Sequence, residues 1–431
     1  MIDVAALDGE LFSPGSPGYD AVRRPVDVRF RDVRPRLVVR CRSVSDVVLA
    51  IRHARDTGLP VVPRGGGHCF AGRSSTDGIV VDLGGLDDVS VTGDGLATVG
   101  AGARLARVYA ALHEHGRTVP AGCGPTVGVA GLTLGGGIGL LGRRHGLTCD
   151  RLAGARVVLA DGRVVDCDRD REPDLFWALR GAGGGQFGVV TSLTFDTVPE
   201  PVTTRFEARW SPADLAETIA AWQRWAPGAP DAVTANLTVV AEPGRPVQAV
   251  LFGAALLAEA PTRALLREFH AEVHTRGGLP YSRLKTTFDA IDPHPEPASG
   301  HRLRSEFFTH PMRPGTIEAL CAALAEPGTG PRTLGFTAMG GAYNRVPVAA
   351  TAFAHRDTLF LLEHVAEATC PWIDESWTIT HADGSGGVYP NFPDPLLDDW
   401  ATAYHGGNHA RLTAVKKAYD PDRLFGFPQA L

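Results

Sequence analysis

A histidine that directly follows three glycines is the first feature of this sequence that could do chemistry, in the segment Arg64-Gly65-Gly66-Gly67-His68. Glycine lacks a Cβ and readily adopts positive φ. Backbone N–H groups in such a segment can therefore curl around an anion, and a neighbouring side chain can lie against a planar ligand. A second glycine-dense segment spans residues 122–139. Two such segments predict a site for a dinucleotide that carries a ring system.

The glycines and histidines of this sequence also permit other interpretations. Taken alone, His68 is more typical of a hydrogen-bonded loop histidine than of a catalytic one. The stretch Gly137–Gly142 fits the GxGxxG fingerprint, with Asp161 where a ribose-binding acid would stand. However, a glycine and threonine stretch precedes Gly135 instead of an apolar strand, which disfavours a nicotinamide-binding Rossmann fold. His113-Glu114-His115 lacks the spacing of a helical zinc site and indicates a solvated helix end.

The composition favours a small-molecule partner. The chain has 431 residues, 44% of them hydrophobic, and a net charge of −6 with interleaved acids and bases. This pattern predicts two or three domains and disfavours nucleic acid or an anionic membrane as partner. The N-terminus lacks the features of a secretion signal, and seven cysteines occur without a CxxC pair. We therefore expect a soluble, cytoplasmic protein without a disulfide framework or a metal site; the oligomeric state is not indicated.

The elements that must position the glycines begin with a strand at 37–39 and a helix from Ser43 or Ser45 to about Asp56, which Gly58 ends. The pattern then predicts strands at 59–63, 79–83 and 97–101 and a helix at 105–115. Asp161-Gly162 indicates a hairpin over 156–166. A short helix at 173–179 and a strand at 189–195 follow. These elements predict a compact α+β unit around the glycine segments.

The pattern of predicted elements changes after Pro199-Glu200-Pro201, where a second domain is expected to start. Its predicted elements are helices at 212–225, 261–275 and 314–324 and strands at 233–240, 247–257, 303–308, 334–339 and 358–365. They predict a largely antiparallel sheet with helices on one face. A final helix is predicted over 398–419.

The glycine segments and several further motifs resemble those of the berberine bridge enzyme group of FAD-linked oxidases. The matching motifs are Pro63–His68 with Ala71-Gly72, Val127–Gly139, Leu175–Gly181, Phe187–Thr191, Asn408–Leu412 and Asp420-Pro421. The resemblance implies a PCMH-type FAD-binding domain over 1–202 and a substrate-binding domain over 203–387. It further implies that a C-terminal segment, 388–431, returns to the FAD domain.

In that family the histidine after the glycines is bonded covalently to the flavin, and His68 matches it. Many members carry a second bond, from a cysteine directly before Pro-Thr-Val-Gly, where this chain has Gly124; Cys123 lies one residue early. We therefore expect covalent FAD through His68 and keep a thioether to Cys123 as an alternative. The resemblance implies FAD contacts from Arg64, Gly65, Gly66, Gly67, His68, Gly122, Cys123, Val127, Gly128, Gly131, Gly135, Gly136, Gly137, Gly139, Val189, Val190, Asn391 and Asn408.

One catalytic group of the family is missing. Alcohol-oxidising relatives place a tyrosine after the asparagine of a Tyr-x-Asn-Tyr motif, whereas this chain reads Tyr389-Pro390-Asn391-Phe392. Phenylalanine cannot accept a proton, so oxidation of an alcohol would need another base. The candidates are Tyr389, Tyr343, Glu363 and His310. Relatives with phenylalanine at this position resemble amine-oxidising members.

The resemblance implies an oxidase that takes hydride from a C–H bond of an amine, an alcohol or a secondary-metabolite intermediate and passes the electrons to O2. Gly122 is similar to the small residue that admits oxygen in oxidase members. Four alternatives remain open: a dehydrogenase, a monooxygenase, a reductase that uses a nicotinamide cofactor, and a flavin-binding protein without activity.

Overall fold

The computed structural model describes residues 4–269, 271–287 and 300–431. Within these ranges the strands form sheets of four, five, two and seven strands, and the fold is of the mixed α+β class that the sequence predicts. Across the described ranges, no helix has both the length and the apolar composition that a bilayer-spanning segment requires.

The four-stranded sheet delivers the chain into the first glycine segment. Its region contains β1 (Glu10–Phe12), α1 (Tyr19–Val22), β2 (Leu37–Arg40), α2 (Val44–Thr57), β3 (Val61–Arg64) and β4 (Ile79–Asp82). Ser43 caps α2 in a capping box with Asp46, and Gly58 ends it at φ +65°, as predicted. Strands β2 and β3 both run parallel to β4. Because β3 ends at Arg64, the following glycines lie at the carboxyl edge of this sheet.

The five-stranded sheet forms the other half of the first region. The elements are β5 (Val89–Val91), β6 (Leu96–Gly100), α3 (Leu105–Glu114), β7 (Arg117–Thr118), α4 (Val129–Leu134), α5 (Gly142–His145), β8 (Leu152–Val158), β9 (Val164–Cys167), α6 (Pro173–Ala178), β10 (Val189–Asp196) and β11 (Val198–Pro199). The sheet order is β5-β6-β10-β8-β9. Strands β8 and β9 pair across Asp161-Gly162, which confirms the predicted hairpin.

The seven-stranded antiparallel sheet has the order β15-β12-β14-β13-β17-β18-β16. Its region contains β12 (Val202–Trp210), α7 (Leu215–Trp225), β13 (Val233–Ala241), β14 (Gln248–Ala255), α8 (Glu259–Leu265), β15 (His274–Pro280), α9 (Tyr281–Lys285), β16 (His301–Phe308), α10 (Pro314–Ala325), β17 (Arg332–Ala338), α11 (Ala342–Arg345), β18 (Phe360–Glu367) and α12 (Trp372–His381). Helices α7, α10 and α12 bury one face of the sheet through Trp222, Leu320 and Ile373. The opposite face is directed at the glycine segments.

Two predicted helices are wrong in extent. The helix expected over 261–275 ends as α8 at Leu265, continues as a 3-10 turn to Phe269, and is followed by β15; residue 270 lies outside the described residues. Strand β15 forms because it pairs with β12 and because Glu259 accepts the Gly277 N–H. The helix expected over 398–419 is divided into α13 (Trp400–His405) and α14 (His409–Tyr419), since Gly406 adopts φ +48°.

The C-terminal segment is held to the first region by a buried lysine. Lys416 in α14 donates to the carbonyls of Gln186 (2.6 Å) and Phe425 (2.7 Å) and pairs with the Asp420 carboxylate at 2.7 Å. Both side chains of this pair are almost fully buried. The ammonium therefore connects α14, the chain end and the segment that precedes β10.

Removing this ammonium is expected to destabilise the fold. In Lys416→Met the Asp420 charge stays buried without its cation, a change that costs about 3–5 kcal/mol. Urea unfolding should report this loss. The matched control is Lys417→Met, whose side chain is exposed and which should change the free energy of unfolding by less than about 0.5 kcal/mol. Equal stability of the two variants would contradict the assigned role.

Candidate active site

A cavity of about 670 Å³ lies between the glycine segments and the seven-stranded sheet. Its volume is within the roughly 300–1,000 Å³ that is typical of ligand and cofactor sites. Glycines of the first segment, 65–67, and of the second, from Gly122 to Gly139, share its wall. The two segments that the sequence singles out therefore meet at one site.

The two segments cross where neither has a side chain. A Cβ on Gly66 would overlap the backbone nitrogen of Gly128 and lie 2.9 Å from its Cα, and a Cβ on Gly128 would overlap Gly66 in return. Contacts this short are not tolerated between backbone atoms, so both positions require glycine. The crossing fixes the floor of the cavity.

His68 and Cys123 both line the cavity. The Nε2 of His68 lies 3.0 Å from the Thr126 hydroxyl of the second segment, which orients the imidazole. Lys285 of α9 lies behind Cys123: its ammonium donates to the carbonyls of Ala121 (3.0 Å) and Gly122 (2.7 Å) and contacts the Cys123 Sγ at 3.3 Å. The buried Lys285 side chain, from the region of the seven-stranded sheet, thus holds residues 121–123 of the cavity wall in place.

Twelve of the residues expected to contact FAD line the cavity. They are Gly65, Gly66, Gly67, His68, Gly122, Cys123, Val127, Gly128, Gly131, Gly139, Val190 and Asn391. Six others lie outside the lining set: Arg64, Gly135, Gly136, Gly137, Val189 and Asn408. Most of the expected set is therefore brought together.

Arg64 and Asn408 have structural contacts instead. The Arg64 guanidinium donates to the carbonyls of Val22, Arg23 and Ser74, and burial lowers its pKa to about 10. The Asn408 amide donates to three carbonyls in the segment 348–352. Both side chains support neighbouring loops, because their donors are taken up by protein oxygens of these loops.

Tyr389 fixes the second glycine segment. Its hydroxyl oxygen accepts the N–H groups of Gly137 (3.0 Å) and Ile138 (3.1 Å) and an amide hydrogen of Asn391 (3.0 Å). Burial raises the pKa of this phenol to about 12, so it stays protonated at neutral pH. Tyr389 lines the cavity, but its oxygen is occupied with holding the loop.

Two of the four candidate bases are placed elsewhere. Tyr343 is buried, and its hydroxyl both accepts from and donates to the backbone of Gly139, while burial raises its pKa. His310 is exposed and hydrogen bonds to Thr309. Neither residue belongs to the cavity lining, so the expectation that they act as bases is corrected. A short loop after β16 carries His310 to the surface.

Glu363 and Phe392 both line the cavity. Glu363 lies on β18 and is 2% exposed. Phe392 packs edge-on against Tyr389 and Phe70, with ring centroids at 4.9 and 5.6 Å. The position of the missing tyrosine is therefore filled by an apolar ring, and Glu363 is the one carboxylate among the four candidate bases, on a strand that lines the cavity.

Sequence reasoning missed three parts of the lining. The first is a third glycine segment, Gly183-Gly184-Gly185; the second is the chain end at Phe425 and Phe427; the third is the polar row Thr234, Asn236 and Thr238 on β13. The glycine triplet and the alternation of polar residues on β13 were visible signals. The return of residues 388–431 to the FAD domain was expected from the resemblance, but which residues of the chain end reach the cavity depends on tertiary contacts and had no local signal.

The lining fits a large flavin dinucleotide. Three glycine segments offer bare backbone to an anionic group, as a pyrophosphate requires. Apolar side chains such as Val190, Leu132 and Ile138 offer a surface for a planar ring, and His68 lines the same cavity. The residues present thus meet both requirements of FAD.

Comparison with known proteins agrees with this geometry. A family model described as an FAD binding domain matches residues 35–168, and one described as berberine and berberine like matches residues 388–431. The FAD-linked oxidoreductase YgaK of Bacillus subtilis is 32% identical over 99% of this chain and 97% of its own length.

Other relatives are oxidases by name or solved structures. The chitooligosaccharide oxidase of Gibberella zeae is 30% identical, with 90% of this chain and 85% of that protein covered. The structure of BBE-like 1 from Physcomitrella patens superposes with a TM-score of 0.90 at 28% identity, over 99% of this chain and 97% of that one. Fold and cofactor-binding region are thus similar along the whole chain.

Proposed function

Because this chain belongs to the berberine bridge enzyme-like family of FAD-linked oxidoreductases, we propose that it is an oxidase for a small organic substrate. FAD in such a site accepts hydride from a substrate C–H bond and returns two electrons to O2. In the overall reaction, a substrate with an H–C–N–H or H–C–O–H group and O2 become the imine or carbonyl product and H2O2.

The observation that carries the proposal is the single cavity that joins His68 and the glycine segments to the wall with Glu363. The N–H groups of the glycine segments would hold the pyrophosphate. His68, oriented by Thr126, would carry the covalent bond to the cofactor. We propose attachment through His68 alone, since Cys123 lies one residue before the position at which doubly linked relatives carry their cysteine, and that position, 124, is glycine.

The sheet wall would bind the substrate. We propose that Glu363 accepts the proton that leaves the substrate nitrogen or oxygen. The phenols of Tyr389 and Tyr343 are less suited to this role because backbone groups hold them. Phe392 would keep water from the reacting carbon, and it cannot take a proton itself.

Two observations favour O2 as the electron acceptor. Gly122 lines the cavity without a side chain that could obstruct a diatomic molecule. The relatives include proteins named chitooligosaccharide oxidase and xylooligosaccharide oxidase. A dehydrogenase would share the same walls and differ in the acceptor.

The proposal predicts that the purified protein is yellow and that a substrate found in a panel of amines, alcohols and oligosaccharides bleaches its flavin under nitrogen. Under air, the same substrate should yield about one H2O2 per product, because O2 takes both electrons. Bleaching without peroxide, with turnover restored by a dye acceptor, would identify a dehydrogenase. Peroxide formation in the absence of the substrate serves as the control.

A further inference from the structure

The cavity face of the seven-stranded sheet has a gap between a carboxylate and a hydroxyl. Thr238 on β13 is the register partner of Gly335 on β17, and Gly335 is the partner of Glu363 on β18. Residues directly opposite each other in a sheet point to the same face. All three line the cavity, so the missing side chain of Gly335 leaves a notch between Thr238 and Glu363. We call it the Gly335 notch.

The size of the Gly335 notch suits one small polar group. Neighbouring strands are about 4.8 Å apart, which puts the backbones of Thr238 and Glu363 about 10 Å from each other. A Cβ at Gly335 would lie 3.4 Å from Glu363 Oε2. A methyl group therefore fits at this position without displacing the protein, and it would occupy the space.

Both sides of the notch offer hydrogen-bond acceptors. Thr238 is buried, and its hydroxyl has no hydrogen-bond partner among the described residues. Glu363 contributes a buried carboxylate, the only one in the lining described. A buried hydroxyl without a partner is costly, and a ligand that donates a hydrogen bond relieves this cost.

The charged side chains of the lining indicate which kind of hydrogen-bond donor the Gly335 notch would bind. Arg73 is the only arginine or lysine among the described lining residues, and its guanidinium stacks on Phe427 at 4.8 Å and binds Gln429 of the chain end. The sheet wall itself presents Glu363 beside Leu361, Phe252 and Phe336. A carboxylate among neutral and aromatic side chains favours a cation over a neutral alcohol.

We propose that the Gly335 notch binds a primary or secondary ammonium group, which donates to Glu363 and Thr238, and that the substrates are therefore amines. This inference rests on the proposed function, since it names the substrate class of the same cavity. It makes Gly335 and Thr238 specificity-determining residues.

Equilibrium binding to the holoenzyme tests the proposal. Cumylamine and cumyl alcohol are matched in shape, and neither has a hydrogen on the carbon that bears nitrogen or oxygen, so neither can be oxidised by hydride transfer. Calorimetry at neutral pH, supported by perturbation of the flavin absorbance, should show cumylamine binding at least about ten-fold more tightly than cumyl alcohol.

Three variants locate the binding to the notch. Glu363→Gln should weaken cumylamine at least about ten-fold and leave cumyl alcohol within about two-fold. Thr238→Val, which removes one acceptor, should weaken cumylamine about three- to ten-fold. Gly335→Ala should abolish the preference for the amine while leaving the melting temperature unchanged. Glu367→Gln, on the exposed end of the same strand, is the matched control.

Equal affinity for the two compounds, or a preference that survives Gly335→Ala, would overturn the inference. The proposed function fails differently, because it requires a yellow protein whose flavin a substrate can bleach. An enzyme that oxidises neutral alcohols with peroxide release and ignores cumylamine would keep the proposed function and refute the amine assignment.

Discussion

In His68→Ala, acid precipitation is expected to leave the protein colourless and the flavin in the supernatant, whereas the wild-type precipitate stays yellow. The imidazole is the group that we propose to bond to FAD, and it lies on the wall formed by the glycine segments. Intact mass should fall by the mass of FAD in addition to the side chain. Flavin fluorescence in a denaturing gel should disappear with it.

Cys123→Ala provides the matched comparison, because its thiol lines the same cavity. We expect its precipitate to remain as yellow as that of the wild type. If neither single variant releases flavin but the double variant does, both residues are bonded and the single attachment is wrong. Flavin that is free in the acidified wild type would refute covalent attachment altogether.

Local chemistry explains what the sequence predicted well. The capping box of Ser43 and Asp46 and the αL glycine at position 58 define α2 within a few residues. The glycines at 66 and 128 were identifiable because no other residue allows two backbones to cross so closely. The two backbones can cross here because glycine has no Cβ, and the presence of glycine can be read from the sequence without knowledge of the fold.

The direction of a side chain was harder to predict. Arg64 adjoins the first glycine segment, yet in a strand successive side chains point to opposite faces, and its guanidinium binds the carbonyls of residues 22 and 23. His310 follows β16 by two residues and lies at the surface. Their positions in the sequence predicted that both residues lie at the site. In the structure, the pleat of β3 directs Arg64 away from the cavity, and the loop after β16 places His310 at the surface.

The substrate wall depended on pairing between distant strands. Thr238, Gly335 and Glu363 come from three strands spread over more than a quarter of the chain and align only through the sheet register. The segment 202–210 was not predicted as a strand, although it pairs with β14 along its length. Register is set by tertiary packing, so the sequence could name Glu363 as a candidate but could not place it opposite Thr238.

Gly66→Ala is expected to unfold the cavity floor and to remove bound flavin. The new methyl group would overlap the Gly128 backbone, and neither partner can move by rotating a side chain. Separation of the two segments should cost about 3 kcal/mol or more in the free energy of unfolding. Urea unfolding and the ratio of flavin to protein absorbance measure the two effects.

The control for this substitution is Gly315→Ala in the first turn of α10, which is exposed and has no atom within 4 Å of the added Cβ. Alanine there should leave flavin content unchanged and alter stability by no more than about 1 kcal/mol. Gly128→Ala should reproduce the Gly66→Ala defect, and the double variant should cost less than the sum, since both methyl groups separate the same two segments. Full flavin content in Gly66→Ala would show that the segments can move apart without losing the site, and the crossing would then not be what shapes it.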